Sequence, residues 1–124
     1  MKKINESYYE IKKSKFYGYL YQINDAKEVD IILDSLKKEH KKARHIVYAY
    51  KINNLEKKFE DKEPSNTAGT PILNLINIKN LNNICIFVVR YFGGTLLGRG
   101  PLTRSYLVTA NELLTKDIID QFFL

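Results

Sequence analysis

A chain of 124 residues has the size of one domain, able to bury roughly two thirds of the surface its unfolded form exposes. Apolar residues make up 44 % and charged residues 27 %, a balance that excludes a disordered or membrane-embedded chain. The net charge of +6 favours anionic partners, nucleic acid or phosphorylated ligands, without choosing among them.

The opening MKKINESYYE is polar and lacks the apolar core of a secretory signal, and the longest apolar run, Ile84 to Val89, is too short to cross a bilayer. The expected compartment is the cytoplasm. Phe16 to Ile23 (FYGYLYQI) is aromatic and β-prone and predicts a strand, with Gly18 marking a place where another backbone comes close. Asp25 and Glu28 form a D-x-x-E capping pattern. Ala26, Val29, Ile32, Leu33 and Leu36 follow at helical spacing, so a helix is predicted from about Asp25 to His40.

His45 to Ile52 alternates as a second strand, and a short edge strand is expected around Lys58 to Asp61. In EPSNTAGTP, residues 63 to 71, Thr70 is the expected cap and Pro71 the first residue of a short apolar helix. NICIFVVRYF is a continuous run of β-formers, the pattern of a central strand covered on both faces, and Cys85 inside it reads as a buried thiol. Pro101 then opens a last helix whose inward face is Leu102, Tyr106, Ala110, Leu113 and Leu114.

Two stretches share one design: a glycine-bearing loop, small hydroxyl residues, then proline in the first turn of a helix. Such loops present backbone N–H groups, and a helix N-terminus adds partial positive charge, so an anion is favoured there. RYFGGTLLGRGPLTRSY, residues 90 to 106, holds three of the four arginines in a chain that otherwise uses lysine for sixteen of its twenty cations. Arginine's planar fork of donors suits carboxylate and phosphate. The candidate anion or nucleic-acid ligands are therefore Arg44, His45, Glu63, Ser65, Thr67, Gly69, Arg90, Gly93, Gly94, Gly98, Arg99 and Arg104, with Arg104 facing away from the core. The competing reading is a tight turn whose arginines pair with Glu60, Asp61 or Glu63.

Nucleotide fingerprints fail on inspection. GGTLLGRG carries Arg99 and Gly100 where a P-loop needs Lys and Ser/Thr, and Gly98 and Gly100 are followed by Pro101, which breaks a GxGxxG pattern. His40 and His45 are the only histidines, no Cys or His cluster has ligand spacing, and no metal or cofactor is expected. A rival from another class is an enzyme using Glu63 or Asp61 as general base and Arg90 or Arg104 to hold an oxyanion or phosphate. A protein-interaction domain is a third reading.

EPSNTAGTP followed by RYFGGTLLGRGPLTRSY, with SKF at 14 to 16 and ARHIVYAY at 43 to 50, resembles the IMPACT/YigZ family from about Ser14 to Leu114. The matched positions are Glu63, Pro64 and Ser65, then Thr67, Ala68 and Gly69, then Arg90 through Gly94, and Arg104 with Tyr106. Lys62 and Asn66 stand where the family has glycines, and its LGxGGLxRAY is here LGRGPLTRSY. The resemblance implies one α/β domain over residues 1–124, a two-layer sandwich with a mostly antiparallel four-stranded sheet and helices packed on it, similar to the second domain of a small-subunit ribosomal protein and to domain IV of elongation factor G. It also implies a role in translation. Eukaryotic relatives bind a ribosome-associated co-activator of a starvation-responsive kinase, and bacterial relatives usually carry a second, ferredoxin-like domain, which the chain is expected to lack. The function expected is a binding module in translation or its regulation, contacting RNA, the ribosome or another polyanion through a basic, glycine-rich face.

Overall fold

In a computed structural model that describes residues 1–124, five antiparallel strands lie in the order β1-β2-β5-β3-β4. They are β1 (Lys2–Ile11), β2 (Ser14–Gln22), β3 (His45–Ile52), β4 (Leu55–Phe59) and β5 (Ile84–Tyr91). Between and after them run α1 (Ala26–Glu39), α2 (Gly69–Ile78), α3 (Arg99–Leu113) and α4 (Lys116–Phe122). The α/β sandwich and its antiparallel sheet are as expected, with β1 as a fifth strand beyond the four anticipated. Helices cover both faces of the sheet.

The central place of β5 follows from its composition: β2 pairs along one edge and β3 along the other, so both faces of every residue from Ile84 to Arg90 are buried. On one face Phe16, Leu20, Val47, Ile86 and Val88 meet Ile72 and Ile76 of α2 and Leu102, Tyr106, Ala110 and Leu113 of α3. On the other, Tyr19, Tyr48, Phe87 and Val89 meet Val29, Ile32 and Leu36 of α1. Fully burying such a side chain contributes roughly 1.5–3 kcal/mol.

α1 begins where the capping pattern predicts, with the Asp25 side chain accepting from Lys27 N at 2.8 Å. Gly18 is required, but by side chains: a Cβ there would lie 2.3 Å from Ser7 Oγ and 3.0 Å from Thr109 Cγ2, where β1 and α3 close over β2. β4 begins three residues ahead of the expected Lys58 to Asp61 span and ends inside it, at Phe59, because Asp61 and Lys62 take left-handed φ values of 47° and 66° and turn the chain away. α2 starts at Gly69 with Ala68 as its cap, two residues ahead of the expected start at Pro71. α3 likewise starts at Arg99 after Gly98, with Pro101 third in the helix. Proline is tolerated at both third positions because the first turn's N–H groups have no intrahelical partner.

Burial pushes the phenols of Tyr19, Tyr21, Tyr48 and Tyr91 above their ordinary value of 10.0, and the Cys85 thiol well above 9.0. Each raised group keeps its proton in the folded chain at a pH where the unfolded chain has released it. The folded state then binds more protons, and stability present below about pH 9 is lost as pH rises. Urea midpoints should fall progressively from about pH 9 upward. Cys85 should react with a thiol reagent at about pH 8 only as fast as the protein unfolds; a reaction complete within seconds in the native protein would contradict its burial.

Candidate functional site

The chain leaves β4 and turns through Asp61 and Lys62 so that Glu63 points into the protein. Two bonds hold this turn: His45 Nδ1 donates to the Asp61 carbonyl at 2.6 Å, and the Ile46 amide donates to Asp61 Oδ2 at 2.7 Å. The Glu63 carboxylate is only 2 % exposed, and Arg90 Nη1 donates to both of its oxygens, at 3.0 and 2.8 Å. The Tyr106 hydroxyl donates to Glu63 Oε2, and His45 Nε2 lies 3.4 Å from Oε1. Burial, reinforced by the Glu63 charge, holds the Tyr106 phenol well above its ordinary pKa, so it stays a donor. The Arg90 guanidinium also lies 5.7 Å from the Phe16 ring centroid.

The N-terminus of α2 is filled from within. The Glu60 carboxylate accepts from the amides of Ala68 at 3.2 Å and Thr70 at 2.7 Å, supplying the anion that the free N–H groups favour. Thr67 is buried and its hydroxyl donates to the Pro64 carbonyl at 2.5 Å; a Cβ on Gly69 would lie 3.0 Å from Glu60 Oε1. Glu63, Thr67, Gly69 and Arg90, read from the sequence as ligands for an external anion, thus find their partners inside the chain. This departs from an open loop because the competing acceptors, Glu60 and Glu63, lie in the adjacent turn. Glu63 is engaged through both of its oxygens, whereas Asp61 is held through Oδ2 alone.

The remaining candidates gather at the same end of the sheet but face outward. Gly93 passes so close to the β1–β2 turn that a Cβ would fall 2.2 Å from Lys13 C, and its amide donates to Ser14 Oγ at 3.2 Å. Gly94 takes a φ of 92°, open to glycine. The Arg44 amide donates to the Arg90 carbonyl at 2.8 Å, and its exposed guanidinium lies 4.6 Å from the Phe92 ring centroid. Arg99 donates to the Ser65 carbonyl, joining the two glycine-bearing loops on one face. Gly98 caps α3 without a side-chain bond, and the exposed Arg104 lies back over Gly100, its Nη1 3.3 Å from where a Cβ would sit.

Lysines that sequence reasoning left unassigned join this end. Lys12, Lys13 and Lys15 stand on the β1–β2 hairpin, Lys41 and Lys42 beside Arg44 in the α1–β3 connection, and Lys62 in the turn before Glu63, all exposed. The paired Lys12 and Lys13 were a visible signal only to a reader who had already placed β1. Of the acidic residues here, Glu60, Asp61 and Glu63 are engaged as described, while Glu10, opposite Lys15 on the hairpin, and Glu39, at the end of α1, are exposed. Asp25, Glu56, Glu112, Asp117 and Asp120 fall toward the opposite end or on α4. No group of three or more His, Cys, Asp or Glu side chains is placed to hold a metal ion. No helix is long and apolar enough to cross a membrane.

A mixed α/β domain whose Glu-Pro-Ser loop, Arg-Tyr-Phe-Gly-Gly turn and Arg-Ser-Tyr helix α3 are stitched through one carboxylate is what the fold and the site define. Residues 12–114 match the Impact N-terminal domain, and the chain belongs to that family. It is 37 % identical over 105 residues to the IMPACT family member YvyE of Bacillus subtilis, covering 82 % of this chain and 48 % of that protein. It is 34 % identical over 110 residues to the IMPACT family member YigZ of Escherichia coli, covering 85 % and 54 %. The human protein IMPACT is 33 % identical over 112 residues, covering 86 % and 35 %. The chain therefore spans about half the length of its bacterial relatives. Among solved structures, a crystal structure of a hypothetical protein superposes with a TM-score of 0.85 at 30 % identity, covering 93 % of this chain and 58 % of that one. The two-domain translational regulator Yih1 shares the fold with a TM-score of 0.53 at 22 % identity, covering 98 % and 46 %.

Substitutions should separate the inner cluster from the outer one. Glu63→Ala leaves the Arg90 guanidinium buried without its partner and should lower the unfolding free energy by about 3–5 kcal/mol in urea titrations. Arg104→Ala should change it by no more than about 0.5 kcal/mol. Equal losses from the two would contradict the division.

Proposed function

We propose that this chain is a binding module in translation or its regulation that contacts RNA, the ribosome or another polyanion through the basic end of its sheet. The observation that carries the reading is the surplus of cations: Arg44, Arg99 and Arg104 stand with Lys12, Lys13, Lys15, Lys41, Lys42 and Lys62 on one exposed end, Glu60 and Glu63 there are turned inward to the start of α2 and to Arg90, and only Glu10, opposite Lys15, and Glu39, beside His40, stay exposed among them. Surplus cations on a rigid frame attract a phosphate backbone over a Debye length and neutralise several phosphates at once. Arginine at three of these positions adds donors suited to phosphate oxygens. Kinship with IMPACT proteins, and the fold shared with the translational regulator Yih1, support translation as the setting. An open cationic end supports a module over an enzyme.

The counterions released by phosphate neutralisation set the test. Against a fluorescent single-stranded RNA, log affinity should fall linearly with log salt, with a slope of about −0.7 per phosphate contacted. Arg104→Ala should weaken binding about tenfold, equivalent to about 1.4 kcal/mol, and make the slope shallower by about one contact. Undetectable binding at low salt to single-stranded, duplex and ribosomal RNA alike would overturn the reading.

A further inference from the structure

A cleft of about 310 Å³ opens between the end of α1, the start of β3 and the end of the edge strand β4. Its lining is mixed, and the apolar part comes from Leu33, Ala43, Ile46 and the half-exposed ring of Phe59, which packs 5.3 Å from the Tyr48 ring. Cations form its rim: Lys37 and Lys41, one helical turn apart in number, and Arg44, steadied over Phe92. Lys37 also offsets the negative C-terminal end of α1, but Lys41 and Arg44 lie beyond the helix. One carboxylate faces the same space. Asp61 is fixed there because its Oδ2 accepts from the Ile46 amide at 2.7 Å, which leaves Oδ1 to accept from a ligand.

The two histidines in the cleft are already committed. Both ring nitrogens of His40 lie 2.7 Å from a tyrosine hydroxyl, Tyr19 on one side and Tyr91 on the other. His45 is held to the Asp61 carbonyl. What the cleft offers a ligand is therefore an aromatic and aliphatic wall, one acceptor and a cationic rim.

From that combination we infer that the cleft binds one nucleotide unit: a base with an exocyclic amino group against Phe59 and Ile46, its amino hydrogen donated to Asp61 Oδ1, and its phosphate on Lys41 and Arg44. A bare phosphate would use the rim and leave the apolar walls wet. The carboxylate would repel a second anionic group but suits a base donor. The volume is at the lower end of small-ligand sites and matches one nucleotide. Stacking of a base on an aromatic ring is the usual anchor of single-stranded nucleic acid. The unit is either a free nucleotide or one residue of a single strand lying along the basic end, and for the second source the inference rests on the polyanion reading.

Titrating the isotope-labelled chain of residues 1–124 with adenosine 5′-monophosphate, inorganic phosphate and a hexa-adenylate RNA, while following the amides by NMR, separates these. The monophosphate should shift Ile46, Phe59 and Asp61, and phosphate at the same concentration should leave Phe59 unmoved. Lys41→Ala and Phe59→Ala should each weaken the monophosphate at least about fivefold, Lys41→Ala serving where loss of the ring disturbs β4. Shifts with the monophosphate but none with the RNA support the cleft with a free nucleotide as its source and count against the RNA reading. RNA shifts confined to residues 93–104, with none from the monophosphate at Ile46, Phe59 or Asp61, uphold the RNA reading and overturn the cleft. Phosphate reproducing the Phe59 shift, or no shift from any of the three, also overturns it.

Discussion

A carboxylate taken out of water costs several kcal/mol unless its partners are in place, and Glu63 makes that condition the constraint on which this end of the molecule depends. Arg90 from the end of β5, Tyr106 from α3 and His45 from the start of β3 all converge on it. Each comes from a different segment, so the loop after β4, the turn after β5 and the first turns of α3 have one mutual arrangement in which no charge is left unpaired. Most residues that make the motifs recognisable are thereby explained as architecture. They hold each other.

That arrangement decides what is left facing water. With Glu63 drawn inward and Glu60 folded over the start of α2, two of the carboxylates at this end are occupied, and the nine exposed lysines and arginines around them outnumber the exposed Glu10 and Glu39. The inner ion pair and the outer cations are thus two consequences of one placement. Arg90 gives up its charge to the fold, while Arg44, Arg99 and Arg104 keep theirs at the surface.

Elements with a strong period were legible in the sequence: the alternating β3, the wholly apolar β5, and the inward faces of α1 and α3. β1 was not, because it is a polar edge strand whose alternation is broken by a register shift between Lys3 and Asn5. α4 escaped notice because seven residues give too little period, its few apolar side chains only covering the rim of the core. The start of α2 was misplaced because its cap is a carboxylate eight to ten residues upstream, which no local pattern announces. At the site, the nearness of the two glycine-bearing loops followed from their shared design, and Glu63 stood among the acids that might pair with an arginine. Choosing it over Glu60 and Asp61 needed distances. The basic hairpin of Lys12 and Lys13 became part of the surface only with β1 in place.

Amide hydrogen exchange in Glu63→Gln tests most directly whether this one carboxylate couples the two loops. Under conditions where the variant stays folded, the account predicts that Thr67, Ala68 and Thr70 on one side and Gly93 on the other lose protection together, while Val47, Ile86 and Val88 in the sheet keep theirs. Loss confined to the 63–70 turn, with Gly93 as protected as in the parent chain, would contradict it.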